Sequence, residues 1–290
     1  MTGVHTLPGR DVGLLLQAAN MADSPRPNSD PVISVVVPVK NEAGNIAPLV
    51  AEIAAALHGH AFEIVYVNDG SSDGTEQELL GLMAQRPWLR QIRHDKSHGK
   101  SAALRTGVTM ARAPTIVTLD GDCQSDPAVI PTLLATLEEG APRVGLASGQ
   151  RVGRETTVFR KLQSRIANSV RRALLKDETR DAGCAIRAFR RELFLSLPYF
   201  DGLDCFLLAL VRREGLDISF VDVVERPRRY GASNYGMWDR LWVGILDTAG
   251  VWWLIRRRKH VPQPKEVTLP VSCIGPQPCS REAGSAELRF

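Results

Sequence analysis

Short β-branched runs alternate with stretches of helical periodicity, and this alternation constrains the fold more than any other feature of the sequence. Residues 32–37, 63–67 and 115–119 each have the length and composition of a buried strand. Over residues 45–57, apolar side chains recur every three or four positions, which predicts an amphipathic helix. Strands that alternate with such helices predict βαβ units and a mostly parallel central sheet flanked by helices.

A polar cluster follows each of these three predicted strands. The clusters are PVKNE at 38–42, NDGSSDGT at 68–75 and DGDCQSD at 120–126. Because parallel strands end at the same edge of a sheet, the three clusters are expected to lie together. Ligands of open α/β sheets bind beyond this edge, so the sequence predicts a ligand site there.

Composition excludes several other classes of protein. With 290 residues, 44% apolar and 23% charged, the chain can bury a substantial core and is not wholly disordered. It has no uninterrupted apolar stretch of about 18 residues, so a confident membrane-spanning helix is not predicted. The five cysteines form no CxxC pair, which disfavours a disulfide framework or a zinc cage.

Four segments are expected along the chain. Prolines among Gly, Ser and Asp predict a flexible leader over residues 1–31. The folded domain is expected over 32–235, a membrane-interface helix with a polybasic stretch over 236–260, and a disordered tail over 261–290.

Basic residues are concentrated in two segments. Residues 151–191 hold twelve Lys and Arg against four Asp and Glu, and residues 225–260 hold eight against three. This distribution predicts a basic face for lipid head groups, phosphates or nucleic acid. Within the first segment, residues 159–176 combine helical apolar spacing with basic residues, as a helix on an anionic surface does; an ordinary core-packed surface helix is the alternative.

The third polar cluster contains a candidate cation site. Alternate residues of an extended segment point the same way, so Asp120, Asp122 and Gln124 could direct oxygen atoms at one ion. Mg²⁺ and Mn²⁺ prefer such ligands. The alternative is a polar strand-end turn in which Asp126 caps the following helix.

Four ordered motifs together resemble the family 2 glycosyltransferases, which have the GT-A fold. The motifs are SVVVPVKNEAGNI, EIVYVNDGSSDGT, HGKSAALRTG and LDGDCQSDP. More narrowly, residues 32–258 resemble the dolichyl- or polyprenyl-phosphate sugar synthases of the dolichol-phosphate mannosyltransferase type. The resemblance implies a GT-A domain with a C-terminal amphipathic, interfacial helix. It also implies inverting transfer of a mannose-type sugar from a GDP- or UDP-sugar to a polyprenyl phosphate.

The resemblance assigns roles to residues at the ends of the predicted strands. It places Pro38, Asn41 and Glu42 beside the base and ribose, although Lys40 stands where many relatives carry an aromatic residue. Asp69 would accept a hydrogen bond from the base. The remaining nucleotide-side and metal assignments concern five residues: Lys100 and Arg105 in the nucleotide cleft, and Asp120, Asp122 and Gln124 around Mg²⁺ or Mn²⁺ at the diphosphate.

Arginines are implied to handle the phosphates. Arg151, Arg160, Arg228 and Ser233 match the places of phosphate- and acceptor-binding residues in the family, and Arg228 joins Asp122 and Gln124 as catalytic. A phosphate monoester is anionic at pH 7, so its attack needs no general base. The bland alternative for each arginine is a solvated surface charge.

A tryptophan-rich segment predicts attachment to a membrane surface. Fifteen residues of helix, 241–255, extend about 22 Å, less than the roughly 30 Å of a hydrocarbon core, and Asp247 lies near the centre. Four of the five tryptophans lie in or beside this segment, and a run of basic residues follows at 256–259, as is typical of a bilayer interface. We therefore expect a peripheral protein on the cytoplasmic face of the membrane.

Two other functions fit parts of the sequence. A GT-A transferase acting on a glycan hydroxyl or another cell-envelope acceptor, or a nucleotidyltransferase, would share the metal site, but a hydroxyl acceptor requires a base such as Asp181 or Asp204. A nucleic-acid-binding protein could use the basic segment 151–191. Its aromatic residues, however, do not alternate with the arginines as stacking platforms do, so we expect no nucleic acid among the partners.

Overall fold

The computed structural model describes residues 30–152, Leu175, residues 183–227 and residues 237–257, with the backbone alone for 237–245. Within these ranges the chain forms one seven-stranded sheet with helices on both faces. The strands are β1 Ile33–Val39, β2 Phe62–Asp69, β3 Leu89–His94, β4 Thr115–Thr118, β5 Val144–Val152, β6 Arg187–Arg190 and β7 Asp217–Val224. The helices are α1 Ile46–Ala56, α2 Thr75–Met83, α3 Lys100–Met110, α4 Ile130–Glu139, α5 Arg191–Ser196, α6 Leu203–Arg213 and α7 Met237–Arg256, with a 3₁₀ turn at Pro127–Val129.

The strand order is β3-β2-β1-β4-β6-β5-β7. Strands β1 to β4 pair in parallel, β6 runs antiparallel to both of its neighbours, and β5 and β7 are parallel to each other. Reversal at β6 restores the original direction in β5, so every described strand except β6 ends at the same edge of the sheet. The expectation of a mostly parallel sheet flanked by helices is confirmed.

The alternation of side chains along β1 explains why both faces are covered. Val35 and Val37 point to one apolar cluster, built with α1, α2 and α4, whereas Val36 points to a second, built with α3, α5 and α6. All three valines are fully buried. A strand buried on both faces reads as a continuous apolar run, which is the VISVVV pattern of the sequence.

Several sequence expectations fall partly or wholly outside the described residues. The leader at 1–29, most of the basic segment 153–182 and the tail at 258–290 lie there. The domain boundaries proposed from the sequence therefore stay predictions.

Helix α7 occupies the tryptophan-rich segment. It has 20 residues, and among the described residues no helix combines the length and apolarity needed to cross a bilayer. Val251 is buried in a small apolar cluster with Leu175, Phe206 and Ala209, so one side of α7 packs on the domain.

Candidate active site

The carboxyl edge of the sheet brings the three polar clusters together, as the sequence predicts. Pro38 is half-buried near the end of β1, and the loop that follows is bonded to the segment after β2. Asn41, at a left-handed φ of 57°, receives a hydrogen bond at its side-chain oxygen from the Ser72 amide at 2.8 Å. The Glu42 amide donates to Thr75 Oγ1 at 3.0 Å. These loops therefore form one bonded unit beside the ends of β1 and β2.

Asp69 binds the loop that joins β3 to α3. Its buried carboxylate accepts hydrogen bonds from Ser97 Oγ at 2.7 Å and from the amides of His98 and Gly99 at 2.9 Å, and His94 Nδ1 lies 2.7 Å from Oδ1. Burial alone raises the pKa of Asp69, but these hydrogen bonds outweigh it and hold the pKa below its ordinary value of 3.8. Each carboxylate oxygen of Asp69 already has two hydrogen-bond partners. A nucleobase that donated to Asp69 would therefore have to share an oxygen with them.

An open, mostly basic cleft lies beside Asp69 at the end of β3. His94 forms its inner wall, with Nε2 at 3.0 Å from Thr106 Oγ1, and its ring meets that of His98 edge-on at 5.6 Å. The residues that line the cleft are Arg93, His94, Asp95, Lys96 and His98.

The third polar cluster occupies a gap at the sheet edge. Strand β4 ends at Thr118, which pairs with Val36, while β1 continues to Val39. The chain after β4 packs against the end of β1, and Gly121 approaches Val39 so closely that a Cβ at Gly121 would collide with the Val39 side chain. The turn that holds the predicted metal ligands therefore requires glycine at this position.

Asp120 faces a lysine from the neighbouring helix. Lys100 Nζ lies 2.6 Å from Asp120 Oδ1 and 3.8 Å from Asp204 Oδ2. Burial lowers the pKa of Lys100, but the two carboxylates raise it more, so the pKa stands above its ordinary value of 10.5. The Asp120 side chain is 36% exposed and can therefore exchange partners with an incoming ligand.

The rest of the turn is held more tightly. Asp122 is buried, and its Oδ1 accepts a hydrogen bond from the Gln124 amide at 3.1 Å. Cys123, between them, has a φ of 60°, and its thiol donates to the carbonyl of Asn45 at 3.3 Å. Two carboxylates and an amide oxygen on one turn are the hard ligands that Mg²⁺ and Mn²⁺ prefer, so the donor set fits the predicted ion. No cluster of three or more His, Cys, Asp or Glu suited to a metal occurs among the described residues.

Of the predicted phosphate-handling residues, Arg151 lies within the described part of the chain. It is the second-last residue of β5, at the same edge, and its guanidinium is 2.9 Å from Glu225 Oε1. Arg160, Arg228 and Ser233 lie outside the described residues, so their roles stay predictions.

Arg105, placed by the resemblance near the nucleotide cleft, has a packing role in the structure. Its guanidinium donates to the carbonyls of Phe194 and Leu195 at 3.0 Å each. It therefore joins α3 to α5, and its donors there are directed at backbone.

Sequence reasoning missed several residues of this edge. His94 and Ser97 bind Asp69, and Glu225 and Arg226 follow β7 and bind across the edge. The β-branched and aromatic residues of 217–224, DISFVDVV, could have located β7, whereas the pairing of these polar side chains has no signal in a single sequence.

Comparison with known proteins identifies the chain as a glycosyltransferase. The family model described as "Glycosyl transferase family 2" matches residues 34–197, more than half of the chain, and the chain belongs to this family. The fold, the family and the enzyme class expected from the sequence are thereby confirmed.

Two curated relatives carry informative names. A "Dodecaprenyl-phosphate galacturonate synthase" of Rhizobium johnstonii is 31% identical over 241 residues, covering 80% of this chain and 70% of the relative. An "Undecaprenyl-phosphate 4-deoxy-4-formamido-L-arabinose transferase" of Yersinia pestis is 31% identical over 209 residues, covering 71% of this chain. The match spans 63% of the length of that transferase.

Solved structures support the fold. Glucosyl-3-phosphoglycerate synthase from Mycobacterium tuberculosis in complex with Mg²⁺ and uridine diphosphate has a TM-score of 0.60 at 23% identity, covering 84% of this chain and 85% of that chain. A complex of the same enzyme with Mn²⁺, uridine diphosphate and glucosyl-3-phosphoglycerate has a TM-score of 0.59.

Proposed function

We propose that this glycosyltransferase moves a sugar from a nucleotide diphosphate sugar to a polyprenyl phosphate at the cytoplasmic face of a membrane. The observation that carries the proposal is the turn after β4. This turn holds Asp120 and Asp122 at the carboxyl edge, beside Lys100, within the part of the chain that matches the family. Two relatives named for polyprenyl-phosphate acceptors support the choice of acceptor.

The chemistry asks for cations around a diphosphate. As the bond from the anomeric carbon to the diphosphate oxygen breaks, negative charge accumulates on the leaving group. A divalent ion held by Asp120, Asp122 and Gln124 would supply Lewis-acid stabilisation of that charge. Lys100 is already close to Asp120, so its ammonium can bind a phosphate oxygen of the donor and help fix its orientation.

The acceptor supplies its own nucleophile. A polyprenyl phosphate oxygen attacks the anomeric carbon from the side opposite the leaving diphosphate, which inverts the configuration. Arg151 lies near the end of β5 at the same edge, and we assign it to the acceptor phosphate with Arg160, Arg228 and Ser233. Binding of phosphate at Arg151 would compete with its ion pair to Glu225.

The donor's base and sugar define the finer part of the proposal. We assign the base of the donor to Asp69, Pro38, Asn41 and Glu42, the residues that the resemblance places beside it. A solved structure of similar fold holds uridine diphosphate, and the assay below compares UDP-sugars with GDP-sugars. The names of the relatives give a galacturonate and a formamido-arabinose, so a mannose-type sugar stays a prediction from the resemblance.

A transfer assay with matched lipids tests this function. Purified protein with Mg²⁺ or Mn²⁺ receives a panel of radiolabelled UDP- and GDP-sugars, together with undecaprenyl phosphate, undecaprenol or a glycan acceptor. Of the three acceptors, we expect only undecaprenyl phosphate to carry label into the organic phase. Its phosphate is an anion at neutral pH and needs no general base to attack. Transfer to undecaprenol or to the glycan would contradict the proposed acceptor.

Helix α7 is our candidate for membrane attachment. On its described part, Trp253 is 55% and Leu246 is 71% exposed. The guanidinium of Arg256 stacks over Trp252 at 4.0 Å, and that of Arg257 lies 5.6 Å from the Trp253 ring. Exposed apolar and aromatic side chains beside arginines favour an anionic bilayer surface.

Point variants test the attachment without removing the helix, whose Val251 is part of the packed core. Leu246→Glu and Trp253→Glu should each reduce co-sedimentation with vesicles containing anionic lipid. Leu80, 55% exposed on α2, provides the matched control, and Leu80→Glu should sediment like the wild type. Equal sedimentation of all three variants and the wild type would contradict attachment through α7.

A further inference from the structure

The two residues that follow β7 join separate parts of the carboxyl edge. Glu225 binds Arg151 of β5 at 2.9 Å. Arg226 turns the other way, with Nη1 at 2.7 Å from Glu52 Oε2 on α1 and Nη2 at 2.5 Å from Asp126 Oδ2.

The backbone of Arg226 also binds the turn of the predicted metal ligands. Its amide donates to the carbonyl of Gln124 at 2.8 Å. Asp126, which receives the guanidinium, uses its other oxygen to accept the amide of Ala128 at 3.0 Å and so caps the next helical turn. Arg226 is therefore bonded to the main chain within the metal-ligand turn and to the side chain that ends it.

The contacts of Arg226 depend on the shape of its guanidinium as well as on its positive charge. One guanidinium reaches two carboxylates from different elements, which a single ammonium on a flexible stem does less well. Burial lowers the pKa of Arg226, but Glu52 and Asp126 together raise it above its ordinary value. An isolated exposed ion pair contributes little, whereas a fork with a backbone bond beside it fixes an orientation.

We propose that Arg226 is a positioning residue that holds the Asp120–Gln124 turn in register with α1 and with the end of β7, where Glu225 binds Arg151. This inference rests on the proposed function, because it assigns Arg226 to the placement of the metal ligands. Residues that orient metal ligands from outside the coordination shell affect metal affinity. A purely structural ion pair would affect stability alone.

The test measures metal binding directly. Mn²⁺ is titrated into the protein in the presence of UDP, and in a second series GDP, with free Mn²⁺ followed by electron paramagnetic resonance. Arg226→Met should weaken Mn²⁺ binding by about tenfold, and Arg226→Lys should fall between it and the wild type. Arg143, whose exposed side chain pairs with Asp217 at the opposite edge, gives the control: Arg143→Ala should bind Mn²⁺ like the wild type.

A double-mutant cycle identifies the partner. Asparagine keeps the capping ability of Asp126 but removes the charge that faces Arg226. If Arg226 acts through Asp126, adding Asp126→Asn to Arg226→Met should weaken Mn²⁺ binding less than the product of the two separate effects, because both remove the same contact. Strictly multiplicative effects would overturn this route.

The outcomes separate this inference from the function on which it rests. If wild-type protein binds Mn²⁺ with nucleotide and folded Arg226→Met binds it equally well, the inference fails while the proposed function stands. If Arg226→Met weakens binding only in proportion to the fraction of unfolded protein in circular dichroism, the residue is structural and the inference fails. If the wild type binds neither nucleotide with Mn²⁺, the proposed function fails and the inference fails with it.

Discussion

The two edges of the sheet each hold a carboxylate beside a basic side chain, but in different surroundings. At the amino edge, Glu63 accepts hydrogen bonds from Ser34 Oγ at 2.7 Å, Arg90 Nη1 at 2.6 Å and the Arg112 amide at 2.6 Å, and its side chain is 4% exposed. At the carboxyl edge, Asp120 lies 2.6 Å from Lys100 and is 36% exposed.

The difference separates structural charge from functional charge. Glu63 is enclosed by strand and loop donors, so its charge stabilises one arrangement of β1, β2 and the segment after α3. Asp120 keeps an open side towards solvent, so it can bind a ligand without unfolding its surroundings. Burial with complete hydrogen bonding favours stability, whereas a partly exposed carboxylate beside a lysine is accessible to a ligand.

Replacement of Asp120 should give the largest effect, and on activity alone. Asp120→Asn removes the charge that faces the cation, so sugar transfer should fall by about 10³-fold while the denaturation midpoint stays within error. Transfer of label and urea unfolding of the same preparations measure the two effects.

Asp217→Asn makes the same chemical change on an exposed side chain at the amino edge and should transfer sugar like the wild type. Full activity of Asp120→Asn would remove Asp120 from the site.

Replacement of Glu63 should do the reverse. Glu63→Gln leaves Arg90 without its ion partner and places an amide among donors, so the free energy of unfolding should fall by about 3 kcal/mol. The transfer rate per folded molecule should not change, because the residue lies at the far edge. If Glu63→Gln lost activity without losing stability, Glu63 would be a functional residue and the contrast between the two edges would be wrong.

Asp69 is buried and fully hydrogen-bonded like Glu63, but it lies at the carboxyl edge like Asp120. Its replacement should have an intermediate effect on stability. Asp69→Asn keeps one oxygen for four donors, so the free energy of unfolding at pH 7 should fall by about 2 kcal/mol. Because the folded-state pKa of Asp69 is lowered, its contribution is complete above the unfolded-state pKa of about 3.9 and is lost as the pH falls through the lower, folded-state value.

Urea unfolding of both proteins from pH 7 to pH 2.5 measures this dependence. The difference in stability between wild type and Asp69→Asn should shrink at the acid end of the series. A difference that stays constant or grows towards low pH would contradict the assigned hydrogen bonds.

The smallest effect is expected where an ion pair is exposed. Arg143 is 85% exposed and lies 3.2 Å from Asp217, so Arg143→Ala should change the free energy of unfolding by less than about 0.5 kcal/mol. The backbone bond from the Asp217 amide to the Arg143 carbonyl remains in this variant. Thermal unfolding measures this change. A large loss of stability would show that exposure does not distinguish the Arg143–Asp217 pair from the buried Glu63–Arg90 pair.

The parallel part of the fold was predictable because its signal is local. Strands β1, β2 and β4 are buried β-branched runs, and each is followed by turn residues, so the sequence located them to within a few positions. Strand β3, LRQIRH, has no such pattern because it is an edge strand with partly exposed side chains. Strand β6, RAFR, is as short as β4, but it has an arginine at each end and lacks the apolar run that located β4.

The site was predictable as a set of segments but not as a set of contacts. The resemblance selected Asp69 and Asp120 by position, while the partners of these residues come from loops distant in sequence. His94 is 25 residues from Asp69, and Arg226 is 174 residues from Glu52. Such pairings depend on how the loops cross the sheet edge, which a motif does not encode.

The early end of β4 has a consequence for what this scaffold can tolerate. Because β4 ends at Thr118 while β1 continues to Val39, the turn from Asp120 to Gln124 lies against the end of β1 in place of further strand pairing. An insertion that lengthened β4 would add backbone hydrogen bonds to β1 and displace this turn. Gly121 sets a similar limit, since a larger residue there would push the turn away from the Val39 side chain. The turn that holds the predicted metal ligands therefore has little freedom to change in length or at position 121.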